Sequence, residues 1–459
     1  MALYDGGSQL DLWSNLEAVP ARAGWKSPSP ITRVRKLLAS LSMFVVCPSH
    51  PARTSRDVQI MIGPRGQRER TAPILGFGRI LTVAVPAAGL AALFAGLAFA
   101  NGVIAPARGK VLCVDIRYRS GAVEILRLEL LSGAPQKSSP AARSEFIVRL
   151  RDAAQRSLYT RPWTPSTVIY SPPNPPGEPP GGDPPAFLTE LETTLVLPYY
   201  EQATSISIER PDGRPVAVTA IRGLVLQPAV AAAAHPVWIS GPDAERLVVL
   251  FLGDSYRGAT RDRYESDVAA HAAFFLEQKT LKKLRNNINI YRGQTRSGLG
   301  CEYNCNGATN LICCDLNRVY RAAAAAGIEF DEIVVLVEDP RYGGSGGEIA
   351  VAYNRHGERP QGGYAWGREV LVHEFGHSWG GLLDEYLYGS DPGCCAGINC
   401  SQTPCKWKGK GVGCHPGCSY PNLNRATENG CLMKTLTPDG GYLFCPICSK
   451  HLKKLNKLY

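Results

Sequence analysis

Beyond residue 100 the chain has no dense basic stripe and no interleaving of Lys or Arg with aromatic residues, although its formal net charge is +10. Residues 1–100 hold eleven Lys/Arg against five Asp/Glu, and residues 101–459 hold 39 against 35, so most of the excess sits near the N-terminus. A nucleic-acid partner needs a concentrated cationic face, and its absence argues against that class. Cysteine is nearly missing from the first 300 residues: of fifteen, only Cys47 and Cys113 precede Cys301. Upstream of Met61 there is neither sustained hydrophobic periodicity nor a recognisable targeting signal. What is present, 459 residues with 44% hydrophobic, allows a sizeable core and about two domains.

The longest uncharged apolar run, Ile80 to Ala105, comes after Arg65, Arg68, Arg70 and Arg79 and contains Ala98-Phe99-Ala100 before Asn101. A basic flank, an apolar stretch and an A-x-A site describe a secretory signal, with Asn101 as the first residue of the exported chain. The run is also long enough to span a bilayer, so residues 61–105 read as a signal peptide or as an uncleaved anchor. Such an anchor is the one membrane contact expected. Either way the basic flank keeps the N-terminus inside and exports the chain beyond residue 105. Residues 1–60 read as an over-extended start, with translation from Met61, or as a disordered tail. Fourteen cysteines then fall in the exported part, an even number that suits disulfides in an oxidising compartment.

Residues 106–235 are expected to form an all-β sandwich. Val111 to Ile116, Val123 to Leu130, Phe146 to Leu150, Leu191 to Leu197 and Ser205 to Ile208 are short β-rich runs, and Pro211-Asp212-Gly213 is a turn signal. Residues 171–185, dominated by Pro and Gly, form a loop within it. No catalytic constellation is visible there. After an Ala-rich link, residues 236–459 alternate strands with helices, which indicates an α/β domain with a mixed sheet. Buried-type strands are expected at Leu247 to Leu252, Ile288 to Tyr291 and Ile333 to Val337, with helices at Tyr264 to Leu284 and Leu316 to Ala326. From about Ser390 the chain is rich in Cys, Gly and Pro and reads as irregular.

The chemistry lies in His373-Glu-Phe-Gly-His-Ser-Trp-Gly-Gly-Leu-Leu-Asp-Glu-Tyr386. Residues four apart share a helix face, so His373 and His377 can aim two imidazoles at one zinc ion. Glu374 stands where it can take a proton from the attacking water and relay it to the leaving amine. With eight histidines in the chain, a chance H-E-x-x-H has odds on the order of one in a hundred, and Val370-Leu371-Val372 supplies the buried start such a helix needs. Gly380-Gly381 permits a sharp turn back towards the metal, after which Asp384 and Glu385 occur side by side. Cys431-Leu432-Met433-Lys434 resembles the methionine turn beneath the metal of the metzincin clan; otherwise Met433 is core filler. Tyr442 is a candidate oxyanion donor. Tyr342 with Gly343, Gly344, Ser345, Gly346 and Gly347 either shapes the substrate cleft or is a flexible turn.

The segment His373 to Tyr386 resembles the signature of the IgA-peptidase family of bacterial metallopeptidases. So do Gly253-Asp254-Ser255-Tyr256, the glycine run after Tyr342, and the Cys445/Cys448 pair. Ser255 and Arg257 depart from the Gly and small polar residue expected there. The resemblance implies a metzincin-like zinc endopeptidase acting on a protein or peptide substrate, with one catalytic zinc ion. The metzincin pattern H-E-x-x-H-x-x-G-x-x-H/D puts its third ligand at position 383, where Leu383 cannot bind. Counting from Gly381 restores the spacing and selects Asp384, with Glu385 orienting a ligand histidine; the opposite allocation stays open. Cys394, Cys395, Cys400, Cys405, Cys414 and Cys418 fit no regular zinc-ribbon spacing and are expected to form disulfides, with cross-links reaching Cys448. A binding or adhesion protein on a retired peptidase scaffold is the alternative, opposed by the intact Glu374, histidines and acidic pair.

Overall fold

The computed structural model describes residues 105–138, 144–179, 181–228, 233–282, 284–296, 298–358, 364–389, 396–439 and 443–459. The expected tail (1–60) and the apolar segment up to residue 104 lie outside the described residues, as do Cys394, Cys395 and Tyr442.

Runs rich in Val, Ile and Leu become strands because branched side chains pack well on a pleated surface. The first eight used here are β1 (Lys110–Arg119), β2 (Ala122–Ser132), β3 (Phe146–Arg151), β4 (Ser157–Trp163), β5 (Glu190–Pro198), β6 (Ser205–Glu209), β7 (Pro215–Ala220) and β8 (Leu226–Gln227). They make two four-stranded sheets, ordered β8-β2-β1-β5 and β4-β3-β6-β7, antiparallel apart from the β8–β2 pair. Leu112, Val114 and Ile116 of β1 meet Phe146, Val148 and Leu150 of β3 and Ile206 and Ile208 of β6 in one buried core. Side chains alternate across a strand, so Val111 and Cys113 of β1 face the other way and join the larger core built by the C-terminal residues. Asp115 on that same face accepts from Thr194 Oγ1 at 2.7 Å and pairs with Arg321 at 2.5 Å.

A third sheet has six strands: β9 (His235–Trp238), β10 (Leu247–Asp254), β11 (Ile288–Arg296), β12 (Glu332–Val337), β13 (Gly344–Gly346) and β14 (Ala350–Tyr353). Their order is β9-β11-β10-β12-β14-β13, with the inner four parallel and both edges antiparallel. Every residue of β10 is buried, the continuous apolar run of a strand covered on both faces. Among the described residues the α-helices are α1 (Arg263–Glu277), α2 (Lys279–Lys282), α3 (Leu316–Ala325), α4 (Gly367–Ser378) and α5 (Pro446–Asn456).

Two expectations about secondary structure need correction. The helix expected from Tyr264 to Leu284 breaks at Gln278, which turns extended (ψ 130°) while its side chain donates to the Phe274 carbonyl. The Cys-rich end is not irregular throughout: α5 starts on Pro446, a residue preorganised for a first helical turn, and buries Cys448 and Leu452.

Disulfides join Cys301–Cys314, Cys305–Cys313, Cys400–Cys418 and Cys405–Cys414. Cross-linking does not extend to Cys448 as expected, because Cys431, Cys445 and Cys448 are buried free thiols. Among the described residues no helix is long and apolar enough to cross a membrane.

Candidate metal centre

Helix α4 is buried at every position from Glu369 to His377, an unusual setting for two histidines and a glutamate. It packs on β14 and on α1, where the Phe275 and Phe375 rings meet edge to face at 4.8 Å. One turn apart, His373 and His377 bring their Nε2 atoms to 3.1 Å. Gly381 then adopts φ +56°, a left-handed conformation that glycine enters without strain, and the chain reverses. The Leu382 amide donates back to the Gly376 carbonyl at 3.0 Å. The returning segment delivers Asp384, whose Oδ1 lies 3.0 Å from His373 Nε2 and 3.1 Å from His377 Nε2.

The other ring nitrogens set the polarity of this cluster. His373 Nδ1 lies 2.9 Å from the Leu432 carbonyl and His377 Nδ1 2.7 Å from the Leu382 carbonyl. A carbonyl only accepts, so each Nδ1 carries a hydrogen, and Nε2 is the nitrogen that would turn a lone pair towards a bound cation. Three buried electron-pair donors thus converge, which is the chemistry of a cation site. Their separations lie within a few tenths of an ångström of the roughly 3.3 Å that tetrahedral zinc imposes on nitrogen and oxygen ligands. Burial pushes Asp384 towards its neutral form, but the two histidines outweigh it and hold the carboxyl well below the usual range. Burial also lowers His377, favouring the neutral imidazole that ligation needs. The outer oxygen, Asp384 Oδ2, accepts from the Tyr388 hydroxyl at 2.7 Å.

Glu374 is fully buried beside this cluster, and neither carboxylate oxygen has a hydrogen-bond partner in the protein. Burial, reinforced by the charge of Asp384, raises its pKa well above the ordinary glutamate value. The glycine run is not a flexible turn: Gly344–Gly346 is the edge strand β13, laid against α4. A Cβ on Gly344 would fall 2.6 Å from Val370 Cγ1, and one on Gly346 would fall 2.6 Å from His377 Cβ and 2.9 Å from Glu374 Oε2. Glycine is required here by close approach. Gly346→Ala is therefore expected to cost about 1–3 kcal/mol by overpacking and to displace Glu374 and His377. Thermal unfolding and peptide turnover measured together would check this, and unchanged turnover would mean that β13 does not position the centre.

The remaining expected residues fall in different places. Ser345 turns away from the centre and donates to the Ile312 carbonyl at 2.6 Å. The Tyr342 hydroxyl donates to the Pro173 carbonyl. A Cβ on Gly343 would meet Tyr303, and one on Gly347 would meet the Val168 carbonyl. Met433 is buried with its sulfur against Gly376, between the two histidines in sequence, where a Cβ would fall 2.7 Å from Sδ. Glu385 does not orient a histidine, because backbone carbonyls take both Nδ1 atoms; it points instead at Cys445 and Cys448.

Two tyrosines escaped the sequence reading. Tyr388 lies four residues past Asp384 in no recognisable motif. Tyr170, at the start of the Pro-rich loop, stacks on the His377 ring at 4.1 Å and 4°. Its amide and carbonyl both pair with Gly346, at 2.8 and 3.2 Å, so this segment adds itself to the edge of β13. Ser171 O accepts from the Tyr386 hydroxyl at 2.6 Å. A cavity of about 770 Å³ opens alongside, lined in part by Tyr170, Gly347, His377, Trp379 and Gly381.

Residues 236–395 match the family model described as IgA Peptidase M64. The resemblance to the IgA-peptidase family holds over this stretch. It spans the six-stranded sheet, α4 and the acidic pair, and it supports a peptidase. The two N-terminal sheets and the residues after 395 lie outside the match. No curated protein matches the chain.

Proposed function

We infer that the protein is an exported zinc-dependent endopeptidase of metzincin type. The observation that carries this reading is the buried, unpartnered Glu374 carboxylate beside three converging ligand atoms. His373 Nε2, His377 Nε2 and Asp384 Oδ1 would hold the ion, with Tyr388 steadying the aspartate through its second oxygen. Zinc held there supplies Lewis acidity, polarising a scissile carbonyl and acidifying water. Glu374 takes the proton of the attacking water, and its raised proton affinity suits it to hold that proton until the leaving amine accepts it. The lack of competing hydrogen bonds leaves both oxygens free for this transfer. The four disulfides among the described residues fit the oxidising compartment that export implies.

A protein or peptide substrate would bind as an added strand on β13, whose outward backbone offers donors and acceptors to an extended chain. Tyr170 now makes those bonds to Gly346, and the Asn310 carbonyl accepts from the Gly344 amide at 3.0 Å, so both neighbours must yield to an added strand. Replacing residues 168–173 by a Gly/Ser segment of equal length is expected to lower KM for extended peptides, since the competing strand is removed. A raised KM would show that this segment belongs to the substrate cleft instead. The reading as a whole is tested by incubating the purified chain with an unfolded protein and reading the new termini by mass spectrometry. Cuts within the chain are expected; trimming from the ends alone, or no cleavage, would contradict it.

A further inference from the structure

A second group of ligand-type side chains begins one residue past Asp384. Glu385, Cys431, Cys445 and Cys448 are buried, and each brings one donor atom within 4.8 Å of the others. Cys448 Sγ lies 3.7 Å from Cys431 Sγ, 3.5 Å from Cys445 Sγ and 3.3 Å from Glu385 Oε1. Cys445 Sγ lies 3.8 Å from the same carboxylate oxygen. A disulfide needs about 2.05 Å, and three thiols cannot all pair among themselves. Ligands around tetrahedral zinc, with sulfur at about 2.3 Å and oxygen at about 2.0–2.2 Å, stand about 3.8 Å apart for S···S and about 3.5 Å for S···O. The S···O separations bracket their edge, and the S···S separations fall a few tenths of an ångström short of theirs.

We propose that Glu385, Cys431, Cys445 and Cys448 hold a structural zinc ion, separate from the centre formed by His373, His377 and Asp384. Four protein donors leave no position for substrate, which marks a structural rather than a catalytic ion. Thiolates select zinc over magnesium or calcium. Glu385 Oε2 is buried without a partner, while Oε1 also accepts from Asn399 Nδ2 at 3.1 Å. The Cys445 amide donates to Cys431 Sγ at 3.4 Å, a bond that favours thiolate. Arg425 and Lys434 lie within electrostatic reach of Glu385 and offset the net negative charge of three thiolates, a carboxylate and a divalent ion.

Such an ion would brace the other centre. Glu385 adjoins Asp384, and its amide donates to the Met433 carbonyl at 2.7 Å. Cys431 precedes Leu432, whose carbonyl orients His373. Cys445 and Cys448 open α5. One ion therefore ties together three segments, two of which shape the histidine cluster.

The test is metal content by ligand type, in full-length protein purified without chelator or reductant. A His373→Ala/His377→Ala variant is expected to retain one zinc per chain, with sulfur neighbours at about 2.3 Å by X-ray absorption. Cys445→Ser/Cys448→Ser is expected to lose that zinc. Should the serine variant fail to fold, the parent protein gives the answer: two zincs per chain and three thiols that alkylate only after chelation. A disulfide between any two of Cys431, Cys445 and Cys448 in the parent overturns the proposal, as does the absence of sulfur-ligated zinc in the histidine variant. Neither readout uses peptidase activity, so the catalytic reading stands or falls separately.

Discussion

Glu374→Gln is expected to bind zinc as the parent does and to lose peptide hydrolysis by about 10²- to 10⁴-fold, the usual effect of removing a general base. The amide is close in shape to the carboxylate, and Glu374 makes no hydrogen bond that folding would miss. No hydrogen bond links it to the ligand atoms, which bond to one another, to carbonyls and to Tyr388. The side chain can thus be neutralised without dismantling the cluster. Turnover of a quenched peptide, with zinc content measured on the same sample, checks this. Near-parental turnover would remove Glu374 from the chemistry.

Asp384→Ala is expected to lose both the zinc of the histidine cluster and hydrolysis. Two imidazoles alone make a poor site, and the alanine leaves them in a buried pocket without the charge that balances a cation. Loss of a partner that only orients a ligand typically weakens metal affinity 10- to 100-fold. Tyr388→Phe, which removes the hydrogen bond to Asp384 Oδ2, should fall in that range and provide the scale. Glu385→Ala separates the two adjacent acids: it should keep the zinc bound by nitrogen and lose the zinc bound by sulfur. If Glu385→Ala empties the histidine cluster and Asp384→Ala does not, the allocation of the two acids is reversed.

The parts of the site legible in the sequence are those governed by local periodicity. A four-residue spacing of histidines after Val370-Leu371-Val372 specifies both a helix and the face it buries, and α4 runs where that reading puts it. Gly381 was legible because a reversal needs a residue tolerant of positive φ. Three strands of the six-stranded sheet, β10, β11 and β12, show as apolar runs, and α3 matches its periodicity closely.

Features that depend on contacts distant in sequence were not legible. Tyr170 and Gly346 meet across 176 residues through backbone bonds, which leave no side-chain pattern. Adjacency to Asp384 suggests a histidine partner for Glu385, yet in this non-helical stretch neighbouring side chains point apart, one to imidazoles and one to thiols. Cys431 joins Cys445 and Cys448 from another segment, with a carboxylate as fourth donor, so no regular cysteine spacing announces the group. The early end of α1 likewise depends on one residue, Gln278, whose identity does not forbid helix.

The dependence that matters most is that of hydrolysis on zinc at His373, His377 and Asp384. It is tested most directly by stripping the purified protein with a chelator matched to that site, then restoring zinc in steps while tracking peptide cleavage and nitrogen-ligated zinc together. Cleavage is expected to vanish on stripping and to return in proportion to zinc regained by the histidine cluster. Full cleavage by protein shown to lack metal there would contradict it.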